Sequence, residues 1–260
     1  MRILLTGSSR GIGRAIAERL AEPGNALALC ASRPSAELDS VAEACRAKGA
    51  EVTALAGDLA DPATPARLVA EAVAALGGLD GVVSNAGIAV PGTLDDYPQE
   101  TWDRVFSVNV RSPWLLAAAA GPHLAASGGG AFVAVASMSG VEPYPGVGAY
   151  SASKAALIMM VRTLALEWAA SGVRANCVSP GLFLSAMTAP LYADPEKKAA
   201  REALIPMRRI GDPARDIAGL VEFMLSPDAG YITGQNVLAD GGLIGSVHAQ
   251  IAGRPRSGGE

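Results

Sequence analysis

Residues 1–13 read MRILLTGSSRGIG, and few architectures accommodate such a beginning. The apolar run from Ile3 to Leu5 has the length and composition of a buried strand, and Thr6-Gly7 stops it. A turn carrying Gly7, Gly11 and Gly13 then opens into RAIAERLAE, where Ile12, Ile16, Ala17 and Leu20 recur at helical spacing. Strand, glycine turn and helix N-terminus together form an anion site: unpaired N–H groups and the positive end of the helix dipole face the ligand. The glycines let the backbone turn and approach a phosphate without Cβ clashes. Three glycines in a loop are a weak signal, but a strand before them and a helix after them point to a dinucleotide.

The same alternation continues downstream. Ala26 to Ala31 reads as a second strand, 36–48 as a helix, and Val52 to Ala56 as a third strand. Pro62 and Pro65 suit the start of a helix carrying Leu68, Val69, Val73 and Leu76, which Gly77-Gly78 ends. Leu79 to Val83 is strand four. A helix with Trp102, Val105 and Phe106 runs into an Ala-rich one over 108–126, and Ala131 to Ala136 is strand five. Tyr150 to Ala170 is a long helix, Val173 to Val178 strand six, and Gln235 to Leu238 strand seven. Asp212 can cap, and Pro213 begin, a helix through Leu225. Strands alternating with helices predict a doubly wound, mainly parallel α/β sheet of seven strands. Right-handed crossovers place the strand C-termini along one edge, where ligands bind. No linker or repeat divides the chain, so 1–245 reads as one unit and 246–260 as a tail. Pro190, Pro195 and Pro206 break 182–210 into short pieces, a lid over the site.

Composition narrows the function. Half of the 260 residues are apolar, enough for a sizeable core, and the formal net charge of −4 argues against broad nucleic-acid binding. No apolar stretch is long enough to span a bilayer, and the N-terminal strand lacks the pattern of a secretory signal. Cys30, Cys45 and Cys177 form neither a disulfide framework nor a metal spacing, and His123 and His248 stand far apart. The expectation is a cytoplasmic, metal-independent protein. Trp102, Phe106 and Trp114 read as packing residues, and Cys177 as buried filler.

Chemistry concentrates around one helix start. Tyr150 and Lys154 are four residues apart, one turn apart on one helix face. Taken alone they could be an incidental polar pair. Ser137, however, follows a central strand directly, at the edge where the tyrosine helix also begins. A ketone or alcohol oxygen held between the two hydroxyls could accept two hydrogen bonds, or lose a proton in the reverse direction. Tyrosine is a poor base at its reference pKa, and a neighbouring lysine and a positive nicotinamide ring would favour its phenolate.

With these residues in hand the chain resembles the classical short-chain dehydrogenase/reductase family. Thr6 through Gly13 matches its TGxxxGxG segment, and Ser84-Asn85-Ala86-Gly87 is similar to NNAG with one serine substitution. Tyr150 to Lys154 matches YxxxK, Ser137 lies thirteen residues before the tyrosine, and Asn109 falls at the family's tetrad asparagine. Pro180-Gly181 and YITGQNVLADGG also match, so the resemblance spans nearly the whole chain through Gly242. It implies a Rossmann-like fold, with Tyr150 as acid/base and Ser137 polarising the substrate oxygen. Lys154 would lower the tyrosine pKa and bind ribose, and Asn109 would hold a water in a proton relay. Gly7, Ser9, Arg10, Gly11, Ile12 and Gly13 would surround the pyrophosphate, and Asp58 and Leu59 the adenine. Asn85, Ala86 and Gly87 would line the cleft, with Pro180, Gly181 and Ser185 near the nicotinamide. Segments 139–146, 89–94 and 182–191 would shape the substrate pocket, with Ser139 and Phe183 as contacts.

The implied activity is interconversion of a ketone and a secondary alcohol with a nicotinamide cofactor. Alternatives are a 3-oxoacyl-thioester (acyl carrier protein) reductase, an NAD-dependent alcohol or polyol dehydrogenase, and a non-catalytic dinucleotide-binding protein. Cofactor choice rests on the end of the second strand. Ala31-Ser32-Arg33 stands there with no acidic residue before Glu37, which favours NADP(H) over NAD(H), since a 2′-phosphate needs cations and room. Either Ser32 or Arg33 would face that phosphate. The helices at 110–126 and 152–170 are apolar over more of their circumference than one sheet face needs, and the resemblance implies a homotetramer.

Overall fold

The structure is a computed structural model describing residues 1–184 and 188–246. Seven parallel strands form one sheet in the order β3-β2-β1-β4-β5-β6-β7. They are β1 Arg2–Thr6, β2 Ala26–Ala31, β3 Glu51–Ala56, β4 Gly81–Ser84, β5 Ala131–Val135, β6 Arg174–Pro180 and β7 Asn236–Ala239. The order reverses between β1 and β4, which opens a crevice at their C-terminal ends.

Period-two alternation sends neighbouring side chains of β1 to opposite faces. Ile3 and Leu5 join the core beneath α1 (Gly11–Leu20), α2 (Ala36–Ala47) and α9 (Gly219–Leu225). Leu4 joins the core on the other face, beneath α3 (Thr64–Leu76), α5 (Ser112–Ala126) and α6 (Tyr150–Trp168). Each fully buried leucine here contributes roughly 1.5–3 kcal/mol of transfer free energy. The two cores make the sheet a rigid platform for the loops at its edge. The expected strands and helices form with ends shifted by a residue or two, except that the helix expected from Pro213 opens as a π-helical turn, Ala214–Ala218, before α9. Asp212 does cap its helix, its carboxylate accepting from the Arg215 N–H (2.9 Å).

The link between α4 (Gln99–Phe106) and α5 is not regular α-helix. The two run together as expected, but through the π-helical turn Ser107–Arg111. The Ser112 N–H reaches back five residues to Ser107. Pro113 has no N–H to offer the carbonyl of Asn109, four residues earlier, so regular α-helical bonding fails there. Within 188–210, α7 (Ala189–Tyr192) and α8 (Pro195–Leu204) are the short pieces expected from the prolines. Ser185, expected near the nicotinamide, and most of the C-terminal tail lie outside the described residues.

Candidate active site

The glycine turn between β1 and α1 is stitched to the loop after β4. Thr6 Oγ1 accepts from the N–H groups of Asn85 (3.1 Å) and Ala86 (3.2 Å). The Asn85 amide donates back to the carbonyls of Thr6 (3.1 Å) and Gly7 (3.0 Å). Gly7 has φ +66°, and a Cβ there would come within 2.8 Å of Ala86 Cα. A Cβ on Gly13 would overlap the Gly7 carbonyl. Gly11, at φ +56°, opens onto free space. Arg10 precedes α1 in an extended conformation, and no side chain caps the helix. The first-turn N–H groups therefore keep their capacity for an anion, and the turn fits a pyrophosphate.

The flanks of this cradle carry the remaining dinucleotide candidates. Ser32 and Arg33 are exposed just beyond β2, and Arg10 is exposed beside Ser9 and Ile12. The Glu37 carboxylate shares this corner. It is held below its usual range by its own backbone N–H and the Ser35 hydroxyl, and to a smaller degree by Arg10 and Arg33. Asp58 accepts from the Ala60 N–H (3.0 Å) and from Arg104 (3.2 Å), which keep its carboxyl low, while Leu59 beside it is buried.

The two hydroxyls expected to bind the substrate oxygen stand at the C-terminal end of β5 and the start of α6. Ser137 leaves β5 in an extended conformation, and its Oγ accepts from the Ser139 N–H (3.1 Å). That bond fixes Ser139 by its backbone and fixes the Ser137 oxygen. Burial raises the Tyr150 pKa, and the neighbouring Ser137 hydroxyl opposes the rise. Lys154 lies 5.7 Å from the centre of the Tyr150 ring, 3 % exposed, and donates to the Val135 carbonyl (2.8 Å). Burial pulls its pKa down to about 8. A Cβ on Gly87 would stand 3.3 Å from Lys154 Nζ, so a side chain there would crowd the ammonium.

Asn109 is fully buried in the π-helical turn. Its Oδ1 accepts from the Ile88 N–H (2.9 Å), and its Nδ2 donates to the Ile88 carbonyl (2.9 Å) and to Ser153 Oγ (3.0 Å). Ser153 in turn donates to the Tyr150 carbonyl (2.7 Å). The side chain of Asn109 is thus committed to holding the loop after β4 against α6. Ser153 and Thr6 are working residues that sequence reasoning passed over, although both lie inside the quoted motifs.

Gly181 donates to the Ala239 carbonyl (3.0 Å), and a Cβ on it would meet Asp240 at 2.6 Å, which seats the Pro180-Gly181 turn against β7. Phe183 is 6 % exposed and packs its ring on Gly211, lining a cleft of about 520 Å³ with Ile205 and Met207. Trp102 and Phe106 stack at 4.8 Å, whereas Trp114 is 52 % exposed and borders a surface hollow with Phe106, Val110 and Met160. The Cys177 thiol is pushed up to about 12 by burial and stays protonated. Among the described residues no His, Cys, Asp or Glu cluster could hold a metal ion, and no helix is long and apolar enough to cross a membrane.

Known proteins are similar to this chain over nearly its whole length. The family model described as Enoyl-(Acyl carrier protein) reductase matches residues 7–244. The chain is 40% identical over 242 residues to Dehydrogenase/reductase SDR family member 4 of Bos taurus, covering 93% of this chain and 86% of the relative. A Sinorhizobium meliloti structure provisionally described as a short-chain alcohol dehydrogenase superposes with a TM-score of 0.89 at 38% identity, covering 95% of this chain and 97% of that one. A Beutenbergia cavernae structure, provisionally an NAD(P)-dependent gluconate 5-dehydrogenase with NADP at low occupancy, superposes with a TM-score of 0.87 at 35% identity, covering 94% and 96%. The chain belongs to the short-chain dehydrogenase/reductase family. It is an oxidoreductase acting between C–OH and C=O groups.

Proposed function

We propose that the protein interconverts a ketone and a secondary alcohol with NADP(H), using Asn109, Ser137, Tyr150 and Lys154. The carrying observation is a buried Lys154 ammonium 5.7 Å from the centre of the Tyr150 ring at the start of α6, with Ser137 placed directly after β5. In reduction Tyr150 gives its proton to the carbonyl oxygen while Ser137 donates a second hydrogen bond to it; in oxidation Tyr150 takes the proton back. Lys154 holds positive charge beside the phenol. The Asn109 carbonyl, lacking an N–H from Pro113, holds a relay water. When bound, the nicotinamide supplies or accepts the hydride.

The residues around the glycine turn would hold the pyrophosphate, Asp58 and Leu59 the adenine, and Asn85 to Gly87 with Pro180, Gly181 and Ser185 the nicotinamide side. Arg33, with Ser32 and Arg10, would read the 2′-phosphate, as the exposed cations beyond β2 support. The NADP in the Beutenbergia cavernae neighbour is consistent with that choice. Segment 182–210, with Phe183, would serve as the lid of a unit spanning 1–245, and Ser139 would contact substrate. The exposed Trp114, Met159 and Leu166 on α5 and α6 support a homotetramer, and three buried free cysteines a cytoplasmic setting. The test is Tyr150→Phe. Folding and dinucleotide binding should persist while kcat on ketones falls by roughly 10²–10⁴-fold. A loss below about tenfold would reject the tyrosine as proton donor.

A further inference from the structure

Two loops border the reacting hydroxyls, and one side chain buckles them together. Tyr97 ends the 3₁₀ turn Leu94–Asp96, and its hydroxyl donates to the Val90 carbonyl (2.9 Å), closing its own loop. Within that loop the Gly92 N–H donates to the Gly146 carbonyl (3.1 Å), and the Gly148 N–H donates to the Gly92 carbonyl (2.9 Å). These bonds make an isolated parallel rung between Gly92 and Val147. The Tyr97 ring lies against both glycines: a Cβ on Gly92 would come within 2.7 Å of it, and one on Gly148 would overlap it. Gly148 also sits at φ +55°, a conformation that side chains rarely adopt. Two residues later the chain reaches the catalytic helix, where the Tyr150 N–H donates to the Val147 carbonyl (3.2 Å). The ring is thus connected to the start of α6 by continuous contacts.

We infer that Tyr97 is a positioning residue: it locks the loop at 89–94 onto the run-in to Tyr150 and thereby limits the size of carbonyl substrate admitted. This rests on the proposed ketone chemistry for its substrate side only. An isolated two-bond rung has no neighbouring ladder to support it, so the ring over its glycines supplies the packing that keeps it closed. Removing the ring frees both loops together and loosens the Tyr150 hydroxyl relative to a small substrate. A bulky substrate, which touches the opened loop from inside, suffers less.

The experiment uses the full chain as wild type, Tyr97→Phe, Tyr97→Leu and Tyr97→Ala. Amide hydrogen exchange is followed in segments 88–98 and 146–152, and kcat/KM is measured for a small cyclic and a bulky aryl ketone with NADPH. Tyr97→Ala should speed exchange in both segments together by about tenfold or more, since local opening sets that rate. It should lower kcat/KM on the small ketone by roughly 10- to 100-fold and on the bulky one several-fold less, with the dinucleotide KM unchanged. Tyr97→Phe keeps the ring and should stay near wild type, and Tyr97→Leu, which retains bulk, provides the comparison where the alanine variant folds poorly. Unchanged exchange in 146–152, equal losses on both ketones, or a phenylalanine variant as damaged as the alanine one would overturn the inference. A wild type inactive on both ketones would refute the ketone reading, while the exchange measurement would still decide the buckle.

Discussion

Lys154→Met should make the dinucleotide-free protein more stable while destroying its activity. Burial lowers the Lys154 pKa from 10.5 to about 8, so the fold resists the charge that the side chain carries at neutral pH. At 1.36 kcal/mol per pH unit that resistance costs about 3 kcal/mol. Below pH 8 both folded and unfolded chains hold the proton and the cost is complete. Between 8 and 10.5 the unfolded chain binds the proton that the folded one has released, so stability rises with pH across that window. Methionine keeps most of the apolar stem and removes the charge, but it also forfeits the bond to the Val135 carbonyl, worth roughly 1.5–3 kcal/mol for a charged donor. The net expectation is a gain of about 0–2 kcal/mol at neutral pH. The assay is urea unfolding from pH 7 to 10.5, read as the difference between variant and wild type. The difference matters because Cys30 and Cys177, both pushed up to about 12, act in the opposite sense: unfolding lets them ionise, so they lower stability as pH rises above 9.0. A variant less stable than wild type at neutral pH, with a difference that does not vary from pH 8 to 10.5, would refute the reasoning.

Three further outcomes are expected. Arg33→Ala should reduce the ratio of kcat/KM for NADP(H) over NAD(H) by about tenfold, as befits loss of a charge-assisted bond; an unchanged ratio would remove Arg33 from 2′-phosphate recognition. Gly13→Ala drives a Cβ into the Gly7 carbonyl and should weaken dinucleotide binding and lower Tm, measurable by fluorescence titration and calorimetry; wild-type values for both would contradict the packing shown. Sedimentation equilibrium at micromolar concentration should show tetramers, broken into smaller species by a charge at Trp114 or Leu166, and a purely monomeric wild type would disprove the assembly.

Much of the fold was legible because its signals are local. The apolar run, glycine turn and amphipathic helix at 1–20 occupy consecutive residues, and the strand alternation is read off one segment at a time. Tyr150 and Lys154 were legible for the same reason, since four residues span one helical turn. What escaped depends on partners distant in sequence. Ser153 acquires meaning only because Asn109, 44 residues earlier, donates to it. Tyr97 acquires it only when its ring meets Gly148. The π-helical turn had a local cause in Pro113, yet an Ala-rich segment with apolar residues at helical spacing reads as ordinary helix until the missing N–H is matched to the Asn109 carbonyl. Trp114 has core-like spacing, but a helix lying on a sheet buries only one stripe, and spacing does not say which tryptophan falls outside it.

With Tyr150 in the role proposed for it, the free protein and the working enzyme differ in the state of its phenol. Burial raises the phenol, Ser137 alone opposes the rise, and the neighbouring lysine is itself held down to about 8 by burial. Both groups are therefore moved away from their ionised forms, and the site is a poor base before ligands arrive. The groups that would reverse this are anionic phosphates and hydroxyl oxygens near Lys154, which favour its ammonium, and positive charge near the phenol, which favours its phenolate. Oxidation of an alcohol, which needs the phenolate, should then depend on dinucleotide binding for its proton acceptor as well as for its hydride acceptor. The near-ultraviolet phenolate signal lost in Tyr150→Phe isolates this one tyrosine from the other four. In the free protein that signal should appear only above the usual tyrosine range. With oxidised dinucleotide bound it should move down in pH, and Lys154→Met should abolish most of the movement. A Tyr150 that ionises at the same pH with and without dinucleotide would show that its basicity is built into the fold, and that the buried lysine does not set it.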